Sequence, residues 1–249
     1  ELMPQIKLAA EKVSTRQKRG GSQMDEHHFQ EIMKWVLKRG KTDPDARTVA
    51  LILTNYLLES VKVRDKEIMK PLLPLLLADF PEISWPHIGR AIVSAKEDSW
   101  RLGHLFGDAY SFGEMKNPAI LQLPENMLFA WCHEYPDTAP AFVAGIVPVL
   151  TSQNPGDVVR AFHPVMKRIL DEFGDRDDVL SSISANIGTY SWSGPRAGYY
   201  GLYEQPLNEL ETHPTKKVRV WVQEMIRDLN LEKKAAIDEQ DEQEAHWAV

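Results

Sequence analysis

Apolar residues recur along most of this chain at steps of three and four, which sets them on one face of an α-helix. Phe29, Met33, Trp35, Val36 and Leu37 form the first stripe, ending near Gly40. Thr42-Asp43-Pro44-Asp45 reads as a turn and helix start, and the next helix runs to about Glu59 with Val49, Leu51, Leu53, Tyr56 and Leu57 for packing. A helix is expected over Asp65 to Ala78, starting at Pro71 or bent there, because Pro71 and Pro74 each lack a backbone donor. Pro81 to Pro86 reads as a connection, His87 to Lys96 as a helix, and Asp98 to Leu105 as a shorter one. Residues 107–118 are the least regular stretch.

The pattern then becomes cleaner. Helices are expected over Glu125–Glu134, Thr138–Leu150, Asp157–Phe173, Asp178–Tyr190, Arg196–Leu210 and Thr215–Leu229. Pro136-Asp137, Asn154-Pro155-Gly156, Gly174 to Asp177, Ser191 to Pro195 and Thr212-His213-Pro214 punctuate them. The Val/Ile run from Val143 to Val149 has helical flanks and contains Pro148, so strands are not expected. The fold class is all-α, with about ten helices joined by short turns.

Helix pairs recur from about Glu125, Asp157 and Pro195, a spacing in the thirties. That suits a helical repeat, in which each pair buries its apolar stripe only by stacking on its neighbours. The last pair, Tyr203 to Leu229, is the most telling. A Leu-containing first helix ends in the polar turn Thr212-His213-Pro214, and Val218-Arg219 opens the second helix. Val218, Val222, Met225 and Leu229 share a face, with Trp221 beside it.

This segment resembles a HEAT/armadillo-type repeat. The resemblance implies an α-solenoid of about five stacked antiparallel helix pairs. It also implies that Val218 is a core residue and that Arg219 fixes one repeat against the next. The turn departs from the family pattern, because an acidic residue followed by Pro is absent, as is the usual small residue in the second helix. The expected organisation is one helical-repeat domain over 1–230, with a basic segment over 1–22, an irregular break over 107–118 and an acidic tail over 231–249.

Composition narrows the function classes. The 249 residues are 43% apolar and 26% charged, with 16 Pro, 14 Gly and seven Trp but one Cys, so neither a disulfide scaffold nor a disordered chain is expected. The net charge is -7. Leu231 to Val249 holds six acids and two lysines, so the body is only mildly acidic and a basic face remains open. Lys12, Arg16, Lys18 and Arg19 make the start basic. A single Cys suits a reducing compartment, and a cytoplasmic location away from membranes is expected. The chain opens on Glu1 rather than Met, and is expected to be a section of a longer protein.

Catalytic patterns are scarce. Neither Gly20-Gly21 nor Gly107 and Gly113 has the spacing or the Lys-Ser/Thr of a phosphate loop. No His-Glu-x-x-His and no cysteine pair suggests zinc. His27 and Glu31 share a helix face but lack further ligands, and Asp175, Asp177 and Asp178 read as a helix cap with solvated charges. Cys132 and His133 are adjacent on a helix and so point apart. No cofactor, metal or catalytic residue is expected.

One cluster reads as a binding surface. Tyr190, Trp192, Arg196, Tyr199, Tyr200 and Tyr203 combine aromatics with an arginine, as interface hot spots do. Filling a repeat interface, where the loop folds back, is the reading weighed more heavily for these rings, and partner contact is the other. A looser group, Trp85, His87, Arg90, Trp100, Arg101 and His104, reads as packing. The expected function is a non-catalytic scaffold or regulatory subunit that binds a protein partner. The alternative is a nucleic-acid-binding solenoid using Arg160, Lys167, Arg168, Arg219 and Arg227, and the least favoured reading is an enzyme built on Glu125, Glu134 and Asp137.

Overall fold

The structure is a computed structural model that describes residues 23–60, 69–95, 103, 105, 106, 118–151, 161–188 and 196–247. These residues are mostly helical, and they gather into two compact units that divide at Thr138/Ala139. Each unit is described by itself.

The first unit contains α1 (Gln23–Leu37), α2 (Pro44–Ser60), α3 (Leu73–Asp79), α4 (Pro81–Ala95), a 3-10 turn (Ala119–Gln122) and α5 (Glu125–Glu134). Gly40, at φ 97°, turns the chain out of α1; this left-handed backbone favours glycine. The Asp43 carboxylate accepts the N–H groups of Asp45 and Ala46 at 3.0 Å and so starts α2. α3 begins after Pro71, and Pro74 sits in its first turn, where the missing N–H is tolerated. Pro81 to Pro86, expected as a connection, is the first part of α4: Pro81 opens the helix and Pro86 lies within it.

Like helices lie side by side in this unit. α1 packs on α3, and α2 packs on α4. Thr54 ties the second pair. Its hydroxyl lies 2.8 Å from the Ala50 carbonyl and 3.0 Å from the Ser84 hydroxyl, and both side chains are buried.

The second unit contains α6 (Ala139–Ile146), β1 (Leu150–Thr151), β2 (Ala161–Phe162), α7 (Pro164–Phe173), α8 (Asp177–Gly188), α9 (Arg196–Gly201), α10 (Glu204–Glu209) and α11 (Lys216–Trp247). Several expectations change here. β1 and β2 form a two-residue antiparallel ladder, pairing Leu150 with Phe162 and Thr151 with Ala161. The helix expected from Asp157 begins at Pro164, because Pro164 supplies the first turn and the His163 ring caps it. The single helix expected over Arg196–Leu210 is two, broken at Leu202 and Tyr203. The acidic stretch after 230 continues α11 without interruption to Trp247.

A regular register runs through the element order. α5, α7 and α10 begin at Glu125, Pro164 and Glu204, and α6, α8 and α11 begin at Ala139, Asp177 and Lys216, steps of about 40 residues. The buried positions repeat with them. Ala139, Val143 and Val147 on and after α6 match Val179, Ile183 and Ile187 on α8, and Val218 and Val222 on α11. α6 packs on α8, and α8 on α11. Side-chain contacts keep the same offset. Asn186 bonds to the Ala144 carbonyl across 42 residues, His213 to Asp171 across 42, Lys217 to the Asp175 carbonyl across 42, and Ser184 meets Met225 across 41.

Two starts in this unit share one local device. In His163-Pro164-Val165 and His213-Pro214-Thr215 the histidine Nδ1 accepts the N–H two residues on, at 3.2 and 3.1 Å. Nδ1 therefore carries no proton, and the Nε2–H of His213 donates to Asp171 Oδ1 at 3.0 Å. His213 is buried, so this one ring holds the turn that leads into α11 and ties it to α7.

Candidate interaction surface

The tyrosine cluster is mostly turned inward. Tyr203 is buried, and Tyr199 and Tyr200 are half-buried. The Tyr199 hydroxyl donates a short hydrogen bond to the Ile187 carbonyl, linking α9 to α8. Its ring meets Tyr203 edge-on with centroids 5.5 Å apart and the two hydroxyls 3.3 Å apart. Tyr200 meets Tyr199 edge-on and reaches Glu232 of α11 at 3.4 Å. These rings therefore fill the seam between α8, α9 and α11. Among the described members of the cluster, Tyr200 has the longest hydroxyl contact, and that contact lies at the surface. Tyr190 and Trp192 lie outside the described residues, as does the side chain of Arg196.

Tyr199→Phe is expected to lower stability by about 1–2 kcal/mol, since the Ile187 carbonyl loses its donor. Thermal unfolding checks this; an unchanged midpoint would mean that the hydroxyl does not hold α9 to α8.

Val218 is buried, and Arg219 Nη1 donates to the carbonyls of His213 at 2.6 Å and Pro214 at 2.9 Å. Arg219 thus steadies its own turn. The tie to the preceding turn comes from His213 and from Lys217, whose ammonium reaches the Asp175 carbonyl at 2.9 Å and Asp177 at 2.8 Å.

The cations weighed for nucleic acid are largely engaged within the chain. Arg168 is paired with Glu172, Arg219 with its turn, and Arg227 with Asp228 at 3.3 Å. Arg160 lies outside the described residues. The carboxylates weighed for catalysis, Glu125, Glu134 and Asp137, are exposed on and just after α5. The Tyr135 hydroxyl bonds to Glu134, which pushes the phenol pKa above its usual value. Among the described residues, no three His, Cys, Asp or Glu side chains are grouped so as to hold a metal.

In the looser aromatic group, Trp85 packs edge-on against Trp131 with centroids 5.0 Å apart, while His87 and Arg90 are exposed. Trp100, Arg101 and His104 lie outside the described residues. Gly89 makes room for this pair, since a Cβ there would sit 2.8 Å from Trp131 Nε1. Cys132 is fully buried beside them. It is expected to stay unlabelled by a thiol reagent in native protein and to react stoichiometrically in guanidinium. Rapid native labelling would contradict its burial.

A different residue stands out. Trp35, placed by its spacing in the first apolar stripe, is 58% exposed, while Phe29, Met33, Val36 and Leu37 are buried. Adjacent helix positions are about 100° apart, so a stripe holding Val36 and Leu37 turns residue 35 outward. Ile32, one turn earlier on the same side, is 47% exposed. The Arg39 guanidinium lies 5.8 Å from the centre of the Trp35 ring, a cation–π contact, and is also held by Asp43 at 2.9 Å and Asp45 at 3.4 Å. Lys34 bonds to Glu31 at 2.9 Å, which keeps that carboxyl below its usual pKa. Lys38 and Lys41 are exposed beside them. The outer side of α1 is thus an apolar centre rimmed by mixed charge with one net positive charge.

No family model, curated protein or solved structure matches this chain. None of the described helices is long and apolar enough to cross a membrane.

Proposed function

We propose that the chain is a non-catalytic, HEAT-like helical-repeat scaffold that binds a protein partner, with the Trp35 face of α1 as its principal contact. The observation that carries this reading is the register of about 40 residues shared by helix starts, buried positions and cross-helix hydrogen bonds. HEAT and armadillo repeats have periods of about 40–47 residues. Such arrays present extended surfaces rather than enclosed pockets, which suits recognition of another macromolecule. Trp and Arg are the residue types that dominate binding energy at protein interfaces, and here they stack on each other in solvent. A protein is favoured over nucleic acid because Arg168, Arg219 and Arg227 are already held within the chain.

Photo-crosslinking in the native host tests the reading. A benzoylphenylalanine at position 35 or 200 is expected to give a discrete protein adduct, and the same group at buried position 203 none. Adducts to nucleic acid alone, or no adduct from position 35 or 200, would overturn it.

A further inference from the structure

We infer that the Trp35 face of α1 docks the acidic end of α11 from a second copy of this chain. The inference rests on the reading above and names the partner.

The two surfaces match in chemistry. On α1, Ile32 and Trp35 form an apolar centre, and Lys38, Arg39 and Lys41 are exposed around it, with Lys34 half-buried. Glu31, Asp43 and Asp45 offset three of the four charges of Lys34, Lys38, Arg39 and Lys41, so this face keeps one net positive charge. The end of α11 is the opposite. Among the described side chains of this helix, the last buried one is Ala236. Beyond it Ile237 is 43% exposed, and Asp238, Glu239, Asp241 and Glu242 are exposed on the following turns. From Ala235 to Val249 there is no Lys or Arg. Ile237 and Asp241 stand one turn apart on one side of the helix, so an apolar residue again lies beside charge, now negative.

The contact joins different surfaces on the two copies, so it either closes as a reciprocal two-fold dimer holding two such contacts or continues head to tail. A few turns of helix laid on one helix bury on the order of 1,000 Å², which belongs to the weak, transient class. Its dependence on charge makes it sensitive to salt.

Sedimentation equilibrium of the full chain tests the inference, from about 5 to about 300 μM in low salt and again near 0.5 M NaCl. In low salt the weight-average mass is expected to climb from 28.4 kDa to the dimer value or beyond, and in high salt to stay at the monomer. Trp35→Ala, Lys38→Glu with Lys41→Glu, and a tail carrying Asp238→Lys, Glu239→Lys, Asp241→Lys and Glu242→Lys are each expected to abolish the rise. Mixing the last two proteins, whose charges are exchanged, is expected to restore it. All these positions are exposed, so circular dichroism should remain that of the wild type. A constant monomer mass, or a rise that survives Trp35→Ala, would overturn the inference. Docking of the tail within one chain would also overturn it, and would appear as hydrogen-exchange protection of α1, lost in the charge-reversed tail, at every concentration with no change in mass. A monomeric protein that still gives a heterologous adduct at position 35 would sink this inference and leave the proposed function standing.

Discussion

Gly174→Ala is expected to destabilise the protein by about 2–3 kcal/mol, a large loss for an added methyl group. Gly174 follows α7 at φ -71° and ψ 0°, a conformation that alanine adopts readily. The obstacle is space. A Cβ at this position would collide with the Leu170 carbonyl oxygen and lie 2.5 Å from Cγ2 of Val218. The first is backbone of the last turn of α7, which accepts the Gly174 N–H at 3.0 Å. The second is a fully buried, β-branched side chain with little rotamer freedom. Neither gives way cheaply, so the α7–α8 turn must move from α11. Because Asp171, Asp175 and Asp177 in that region hold His213 and Lys217, the strain is expected to reach the start of α11. Chemical denaturation should show a lower midpoint with an unchanged slope. A shift below about 0.5 kcal/mol would mean that the two turns are not in close contact.

Asn186→Leu is expected to cost about 3 kcal/mol, through a different mechanism. Pro148 lies four residues after Ala144 and has no N–H, so the Ala144 carbonyl lacks its helical donor. The buried Asn186 amide takes that place, donating to Ala144 at 2.8 Å and to the Val147 carbonyl at 2.7 Å. Leucine has a similar volume but no donor, and it leaves both carbonyls deprived inside the protein. Asn186→Asp should also fail, since a carboxylate brought against two carbonyls repels them and is itself desolvated. Thermal unfolding of both variants decides the matter; a leucine variant as stable as the wild type would show that the two bonds contribute nothing net.

Much of the architecture was legible because helical periodicity is a local property. Glu125–Glu134 matches its expected span, and Ala139–Ile146 and Asp177–Gly188 fall inside or within a residue of theirs. Prolines gave the errors, and in opposite directions. Pro86 was expected to keep the chain out of a helix, yet it lies inside α4. Pro164 was expected inside a helix and instead begins α7. A proline is compatible with a first turn and unwelcome later, so its effect depends on where the helix starts, which periodicity fixes only loosely.

The β1–β2 ladder was not legible at all, since two residues in each strand carry no alternation to detect. Tertiary contacts were the other blind spot. The aromatic cluster at 199–203 was recognised, but not that Tyr199 would lend its hydroxyl to Ile187 and so be committed inward. Trp35 was visible as an apolar residue among apolar residues. Its exposure follows from a 100° step per residue against the already complete face of Phe29, Met33, Val36 and Leu37, a signal present in the sequence but masked by counting Trp as part of the stripe.

The central claim is that α6, α8 and the first half of α11 are equivalent layers coupled through one register. Hydrogen exchange of the full chain, compared between wild type and Asn186→Leu, tests this most directly. The account predicts that the slow amides of Ala139–Ile146, Asp177–Gly188 and Lys216 to Leu229 lose protection together and by a similar factor. Loss confined to Asp177–Gly188, with the flanking helices unchanged, would contradict it.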